Sequence, residues 1–194
     1  MSIFSKIFGK PAVEPPLLSP FEIGIVLAGS LIEGRSPNEI GNSEADLVRS
    51  AGVPRQAYIE ERFLLNAAAA AFAALTFLPD GAAKNDVASG FKSWFADNAA
   101  KSRQAAELTA AYARRTPAYV GAARKDAARP PAEHGDLIIR EIDFVFGDSL
   151  LERSTLGPSA ESSCRMLAMA IGQAYWSAQL QGSVELFRRA KLIP

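Results

Sequence analysis

Residues 55–78 have the sequence RQAYIEERFLLNAAAAAFAALTFL, and this stretch decides the fold. It contains neither glycine nor proline, it follows Pro54, and it ends at the turn sequence Pro79-Asp80-Gly81. Alanine has the highest helix propensity of all residues, and its small side chain lets neighbouring helices approach closely. We therefore predict that residues 55–78 form a long helix near the middle of a helical bundle.

Capping patterns and apolar spacing predict further helices on both sides of this stretch. Ser19 with Pro20 and Glu22 combines a capping side chain, a proline at the first helical position and a capping-box glutamate, so a helix is expected from residue 20 to about 33. Similar signals predict the other helices, which we place at residues 43–52, around the apolar stripe Val87, Phe91, Trp94 and Phe95, at about 101–115, and over 159–190. The last is expected as one helix, or as two with a break near Gly172 or Gly182.

Two segments leave their secondary structure open. Residues 116–135 contain three prolines and two glycines, which favours either a short helix around 118–128 or a mobile loop. Residues 136–147 fit both a helical stripe and strand alternation, and we favour a helix because the neighbouring elements are helical. The fold class expected is all-α: a single-domain bundle of about six to eight helices over 19–194. Residues 1–18 would form a flexible proline-rich arm.

The charge balance bears on the class of partner. Lysine plus arginine number 21 and aspartate plus glutamate number 21, so the net charge is zero, which argues against a general nucleic-acid binder. Charge is nevertheless segregated, because residues 100–130 carry a net +5 and residues 131–163 a net −5. The two blocks could fold back on each other, dock against a second subunit, or each be solvated surface.

Few residues are available for catalysis or metal binding. One cysteine and one histidine cannot supply the four ligands of a structural zinc site, and no cofactor motif occurs, so neither metal nor cofactor is expected. The sharpest enzymatic hypothesis pairs Cys164 as nucleophile with His134 as base. Because free cysteines are usually buried, the sequence favours a protein without catalytic residues. The lone cysteine and the lack of a signal-peptide pattern predict a cytoplasmic location.

Three uncharged stretches are candidates for membrane spans. Residues 23–32 are too short, residues 63–79 are mostly alanine, and residues 166–184 contain several polar side chains. We interpret all three as helices buried within the protein. The amphipathic tip at residues 2–9 would make at most a weak membrane-surface contact.

Two binding functions follow from these patterns. The first is a non-catalytic adaptor, regulatory or immunity-like protein that binds a protein partner or a second copy of itself. It would act through helix faces and a basic surface made of Arg114, Arg115, Arg124, Lys125 and Arg129. The alternative is a small-molecule site, or an enzyme, with an apolar pocket between helices near Trp94, Tyr175 and Trp176. Asn66 and Gln173 interrupt uncharged runs, so they either bond each other or line a pocket.

Overall fold

A computed structural model describes residues 18–33, 42–101, 103–129 and 140–194 of the chain. Within these ranges the backbone is helical apart from short connections, and no strand occurs. The prediction of an all-α fold is confirmed. The predicted arm, apart from Leu18, and the amphipathic tip at 2–9 lie outside the described residues.

The helices agree closely with the predicted positions. In chain order they are α1 (Pro20–Glu33), α2 (Asn42–Ser50), α3 (Arg55–Phe77), α4 (Ala82–Ala99), α5 (Arg103–Ala128), α6 (Glu141–Arg153), a 3₁₀ turn (Gly157–Ala160), α7 (Glu161–Leu167), a π-helical turn (Ala168–Gly172) and α8 (Gln173–Arg189). The predicted capping box forms, because Glu22 accepts a hydrogen bond from the Ser19 amide at 2.8 Å. The described part of the ambiguous 136–147 segment is helical. No helix in the described part of the chain is both long and apolar enough to cross a membrane.

Helix α3 is the central element, as the alanine-rich sequence predicts. Two apolar clusters pack on different faces of it. The first core joins it to α2, α5, α6, α7 and α8 through residues that include Leu65, Ala68, Ala69, Phe72, Tyr119, Phe146, Leu150, Leu167 and Trp176. The second core joins it to α1, α4 and the end of α8 through residues that include Ala67, Ala70, Ala73, Ile23, Leu27, Val87, Phe91, Phe95 and Phe187. Residues 67–70 are completely inaccessible to solvent.

The predicted end of a helix before Pro117 is wrong. Helix α5 continues through Pro117 to Ala128, so the alternative of a helix around 118–128 holds, as a continuation of α5. A proline removes one backbone hydrogen bond. Burial of Tyr119 and Val120 against the first core stabilises the continued helix and outweighs that loss. Residues 130–135, the rest of this segment, lie outside the described ranges.

The break near Gly172 is confirmed, and it is a π-helical turn over Ala168–Gly172. A π turn contains one residue more than the corresponding turn of an α-helix. The buried stripe therefore moves by one position, so that Trp176 is buried in the first core while Tyr175 packs against its edge, only partly buried. Gly172 sits where a Cβ atom would lie 3.0 Å from the Phe146 ring, which explains a glycine at this position. The interpretation of residues 166–184 as a fully buried helix is wrong, because Ala174 and Ala178 are exposed.

Candidate functional site: a polar groove between α2, α3 and α8

Three polar side chains follow one another along a single face of α3. Tyr58, Arg62 and Asn66 are spaced by four residues, which places them one above another on a helix. Tyr58 is fully buried, and Arg62 is 6% exposed. Polar groups at such burial need partners, and helices α2 and α8 supply them to the first two.

Glu44 of α2 organises these partners. Its Oε1 accepts hydrogen bonds from the Tyr58 hydroxyl at 2.5 Å and the Tyr175 hydroxyl at 3.1 Å. Arg62 donates to the Tyr175 hydroxyl oxygen at 2.9 Å and lies 3.4 Å from the Glu44 carboxylate. Its guanidinium also lies over the Tyr175 ring, 4.9 Å from the centroid. The four side chains hold α2, α3 and α8 in a fixed arrangement.

The polar groove is a cavity of about 500 Å³ beside this network. It is lined by Ser43, Glu44, Leu47, Asn66, Ala170, Ile171, Ala174, Tyr175, Ala178 and Gln179. Two of these residues, Ala170 and Ile171, belong to the π turn, so the irregular backbone shapes one wall. Such turns are frequent at functional sites.

Asn66 is the unusual member of the lining. Its Oδ1 atom is buried and has no hydrogen-bond partner among the described residues. Leaving a buried acceptor unpaired costs about 1–3 kcal/mol. Asn66 itself is only partly buried, so a part of its side chain other than this oxygen faces the groove.

The chemistry of the network favours binding over reaction. Burial, reinforced by the Glu44 carboxylate, raises the pKa of the Tyr58 hydroxyl far above its usual value, so that this hydroxyl stays protonated at neutral pH. It acts as a hydrogen-bond donor to Glu44 and not as a base. Glu44 is occupied in turn by the donors around it, which fixes its orientation.

The structure separates the three aromatic residues predicted to line one pocket. Tyr175 lines the polar groove. Trp176 is 4% exposed in the first core, with its ring 5.9 Å from that of Phe72. Trp94 packs on the second core, edge-on to Phe95 at 5.2 Å. One of the three thus lies at the groove, and the others are packing residues.

The two charge blocks fold back on each other along α5 and α6. Arg115 pairs with Glu152, and Arg129 pairs with Glu141, which also lies 3.9 Å from Lys125. Three of the five predicted basic residues, Arg115, Lys125 and Arg129, therefore pair with acidic residues of the same chain.

Arg114 and Arg124 are the other two predicted basic residues, and both are exposed. Arg114 borders a cleft of about 260 Å³ that it shares with Glu107 and Arg153.

Glu61 joins the same helices from the inside. This carboxylate is completely buried, and its Oε1 accepts a hydrogen bond from Arg153 at 3.1 Å and lies 3.7 Å from Arg115. Its Oε2 has no partner among the described residues. Burial raises the pKa of Glu61, while Arg115 and Arg153 partly oppose the shift. The ion pairs of Glu61 with Arg115 and Arg153 therefore connect α3 to α5 and α6.

The cysteine hypothesis receives no support from the geometry. Cys164 is buried in the first core, and burial raises the pKa of its thiol above the usual value. A catalytic thiolate needs the opposite shift. Its proposed base, His134, lies outside the described residues. In the described ranges, no group of three His, Cys, Asp or Glu side chains is placed to hold a metal ion.

No family model, curated protein or solved structure matches this chain.

Glu44 of the groove lining and Arg62 beside it were not assigned to a site by sequence reasoning. The sequence does contain one signal for a polar helix face, because Tyr58, Arg62 and Asn66 repeat every four residues. Tyr175 and Gln179 have the same spacing on α8. Of the two alternatives for Asn66 and Gln173, the second holds for Asn66. Gln173 donates to Asp143 at 2.7 Å instead.

Proposed function

We propose that the chain is a non-catalytic binding protein that holds a small molecule in the polar groove. The observation that carries the proposal is the cavity of about 500 Å³ itself, which is lined by apolar side chains together with Glu44, Asn66 and Tyr175. Small-molecule sites are commonly about 300–1,000 Å³, with a few fixed polar groups among apolar ones. This proposal develops the small-molecule alternative and keeps the expectation that the protein is not an enzyme.

The fixed network supports this function. A ligand is bound more tightly when the polar groups that meet it are already ordered, because less conformational entropy is lost. Glu44 and Tyr175 are held by Arg62 and Tyr58 before any ligand arrives.

Thermal unfolding against a panel of small metabolites tests the proposal. A ligand at about 100 times its Kd stabilises a protein by about 2.7 kcal/mol. The panel should include matched primary amines, amides, carboxylates and phosphate esters. At least one compound should raise the Tm of the unmodified chain.

Two tryptophan variants localise any such effect. Ala178→Trp places an indole in the groove at an exposed position, so that the fold is retained and the cavity is filled. Ala113→Trp makes the same change on the exposed side of α5. The Tm shift should disappear in Ala178→Trp and persist in Ala113→Trp. If no compound produces a shift with this pattern, the proposed function is wrong.

A protein partner at α5 remains the second candidate, and the exposure of Arg114 and Arg124 favours it. Reversing both residues to glutamate should weaken capture of a partner in a tagged pull-down. Arg115 is left unchanged, because its reversal would also break the pairs with Glu61 and Glu152. Unchanged capture would contradict this site. We also propose that the protein acts in the cytoplasm, because its one cysteine cannot form a disulfide within the chain.

A further inference from the structure

We infer that the ligand of the polar groove is an uncharged molecule with an apolar body and a carbonyl-type acceptor, which receives a hydrogen bond from the Asn66 amide nitrogen. This inference rests on the proposed function and adds the chemical class of the ligand. It follows from the charge of the groove lining, from its apolar side chains and from the side of the Asn66 amide that is accessible.

The charged pair beside the groove is already satisfied. Among the described residues that line the groove, Glu44 alone carries a formal charge, and its side chain is 13% exposed. Its Oε1 atom accepts hydrogen bonds from Tyr58, Arg62 and Tyr175, and its Oε2 atom accepts one from Tyr175. Arg62 lies 3.4 Å from this carboxylate and neutralises it. Because Arg62 is in turn covered by the Tyr175 ring, neither charge is left to attract an ion.

An ionic ligand would therefore enter the groove at a cost. A charged head group loses its water of hydration on burial, and it needs a counter-charge and hydrogen bonds in exchange. The described lining residues other than Glu44 are uncharged, so they supply dipoles and no counter-charge. An uncharged head group has less hydration to lose, and the groove favours it for that reason.

The accessible part of the Asn66 amide is a hydrogen-bond donor. Its Oδ1 atom is buried, whereas the side chain as a whole is only partly buried and lines the groove. The Nδ2 atom is neither buried without a partner nor hydrogen-bonded to another described residue, so it is accessible. An amide nitrogen carries two N–H donors and no acceptor. A carbonyl oxygen on the ligand matches it.

The rest of the groove suits an apolar body. Leu47 of α2 and Ile171 of the π turn line it together with Ala174 and Ala178 of α8. The two alanines are one turn apart and leave space that larger residues would fill. A short alkyl or aryl chain would contact these side chains while its carbonyl oxygen accepts a hydrogen bond from Asn66.

Calorimetric titration with three matched probes tests the ligand class. The probes are n-hexanamide, n-hexylammonium and n-hexanoate, which have similar tails and differ in the charge of the head group. We expect n-hexanamide to bind at least about tenfold more tightly than either ion. Its affinity should also stay the same when the salt concentration is raised, because no charge is involved. Equal or tighter binding of either ion, or no binding of the amide, would overturn the inference.

A substitution at Asn66 tests the role of its amide nitrogen. Asn66→Leu removes both N–H donors and should weaken n-hexanamide binding about tenfold. Gln181→Leu, on the exposed side of α8, is the matched control and should leave the affinity unchanged. The Tm of each variant is measured on the same samples, which separates a loss of binding from a loss of folding. If Asn66→Leu binds the amide as the unmodified chain does, the assignment of Asn66 is wrong.

The ligand class and the proposed function can fail separately. If panel compounds bind in the groove and are lost in Ala178→Trp, but the tightest of them is charged, the ligand class is wrong and the binding function stands. If no compound meets the Ala178→Trp criterion, the function itself is wrong.

Discussion

The first core and the second core share α3 but differ in what they bury. The second core is apolar, and four of its ring pairs, among Phe91, Phe95, Trp94 and Tyr112, have centroids 4.5–5.9 Å apart. Beside the first core lie the buried polar side chains Glu61, Arg62, Asp143 and Ser149. Buried polar groups cost free energy unless they are paired. The buried oxygens without a partner among the described residues, those of Glu61, Asn66, Tyr119 and Asp143, all belong to helices that the first core joins.

The contrast assigns different tasks to the two sides of α3. On the second-core side, α1 and α4 cross at two glycines, Gly24 and Gly90, so closely that a Cβ atom on either would meet backbone of the other helix within 2.1 Å. That contact provides a rigid support. On the other side, the Glu44 network and the π turn border a cavity of about 500 Å³. We interpret the second core as a structural support and the surface that carries the polar groove as the functional surface.

The largest effect is expected at Glu61. Glu61→Ala would leave Arg115 and Arg153 without their buried carboxylate, and breaking a buried pair typically costs about 3–5 kcal/mol. Because both arginines are partly exposed, we expect the lower end of that range, about 3 kcal/mol, in urea unfolding. Glu107→Ala is the matched control, since its pair with Arg103 is exposed. It should change stability by less than about 1 kcal/mol. Equal effects would contradict the role given to Glu61.

The glycine crossing should come next. In Gly90→Ala the new methyl group would lie 1.9 Å from the Phe21 carbonyl oxygen, so α1 and α4 must move apart. We expect a loss of about 2–3 kcal/mol in the free energy of unfolding. Gly182→Ala in α8 is the control, because a Cβ atom there has no neighbour within 4 Å. It should stabilise by about 0.5–1 kcal/mol. A Gly90→Ala variant as stable as the parent would refute the close contact.

Stability should also depend on pH through Glu61. Burial holds its pKa above the ordinary value of 4.5, so the folded state binds a proton more tightly than the unfolded state. Its contribution is therefore greatest below about pH 4.5 and is lost as the pH rises through the folded pKa. Measured against Glu61→Gln, which does not titrate, the unmodified chain should gain relative stability as the pH is lowered from 7. A difference that is constant, or of opposite sign, would show that burial does not dominate.

The smallest effect distinguishes binding from stability. Asn66→Leu replaces a buried acceptor without a partner by an apolar side chain of similar size, which we expect to stabilise the fold by up to about 1 kcal/mol. The same change should weaken ligand binding. Gln181→Leu on the exposed side of α8 should alter neither property appreciably. If Asn66→Leu destabilises the protein, the amide has a structural role instead.

Most of the fold could be predicted from local sequence, because helix propensity and capping act over a few residues. The alanine run of α3 and the Ser19–Glu22 box are examples. The continuation of α5 through Pro117 could not, because it depends on burial of Tyr119 by distant helices. The π turn likewise depends on packing of Gly172 against Phe146.

The site was harder to predict than the fold for the same reason. Tyr175 was assigned to binding because it is aromatic, and it does line the groove. Trp176 was assigned on the same grounds and lies in the core, because the π turn shifts the buried stripe by one residue. Glu44 and Asn66 come from consecutive helices, but Tyr175 lies 131 residues after Glu44. Their proximity to one groove depends on tertiary packing that no local pattern encodes.

The most direct test of the central claim is methyl NMR of the labelled protein during titration with whichever panel compound raises the Tm most. Leu47, Ile171, Ala174 and Ala178 report on the groove, and Ile23, Leu31 and Val87 report on the second core. We expect saturable changes in the chemical shifts of the groove methyl groups, while the chemical shifts of the second-core methyl groups stay unchanged. Saturable shifts confined to the second core, or shifts that spare Ile171, would contradict the assignment of the groove as the functional site.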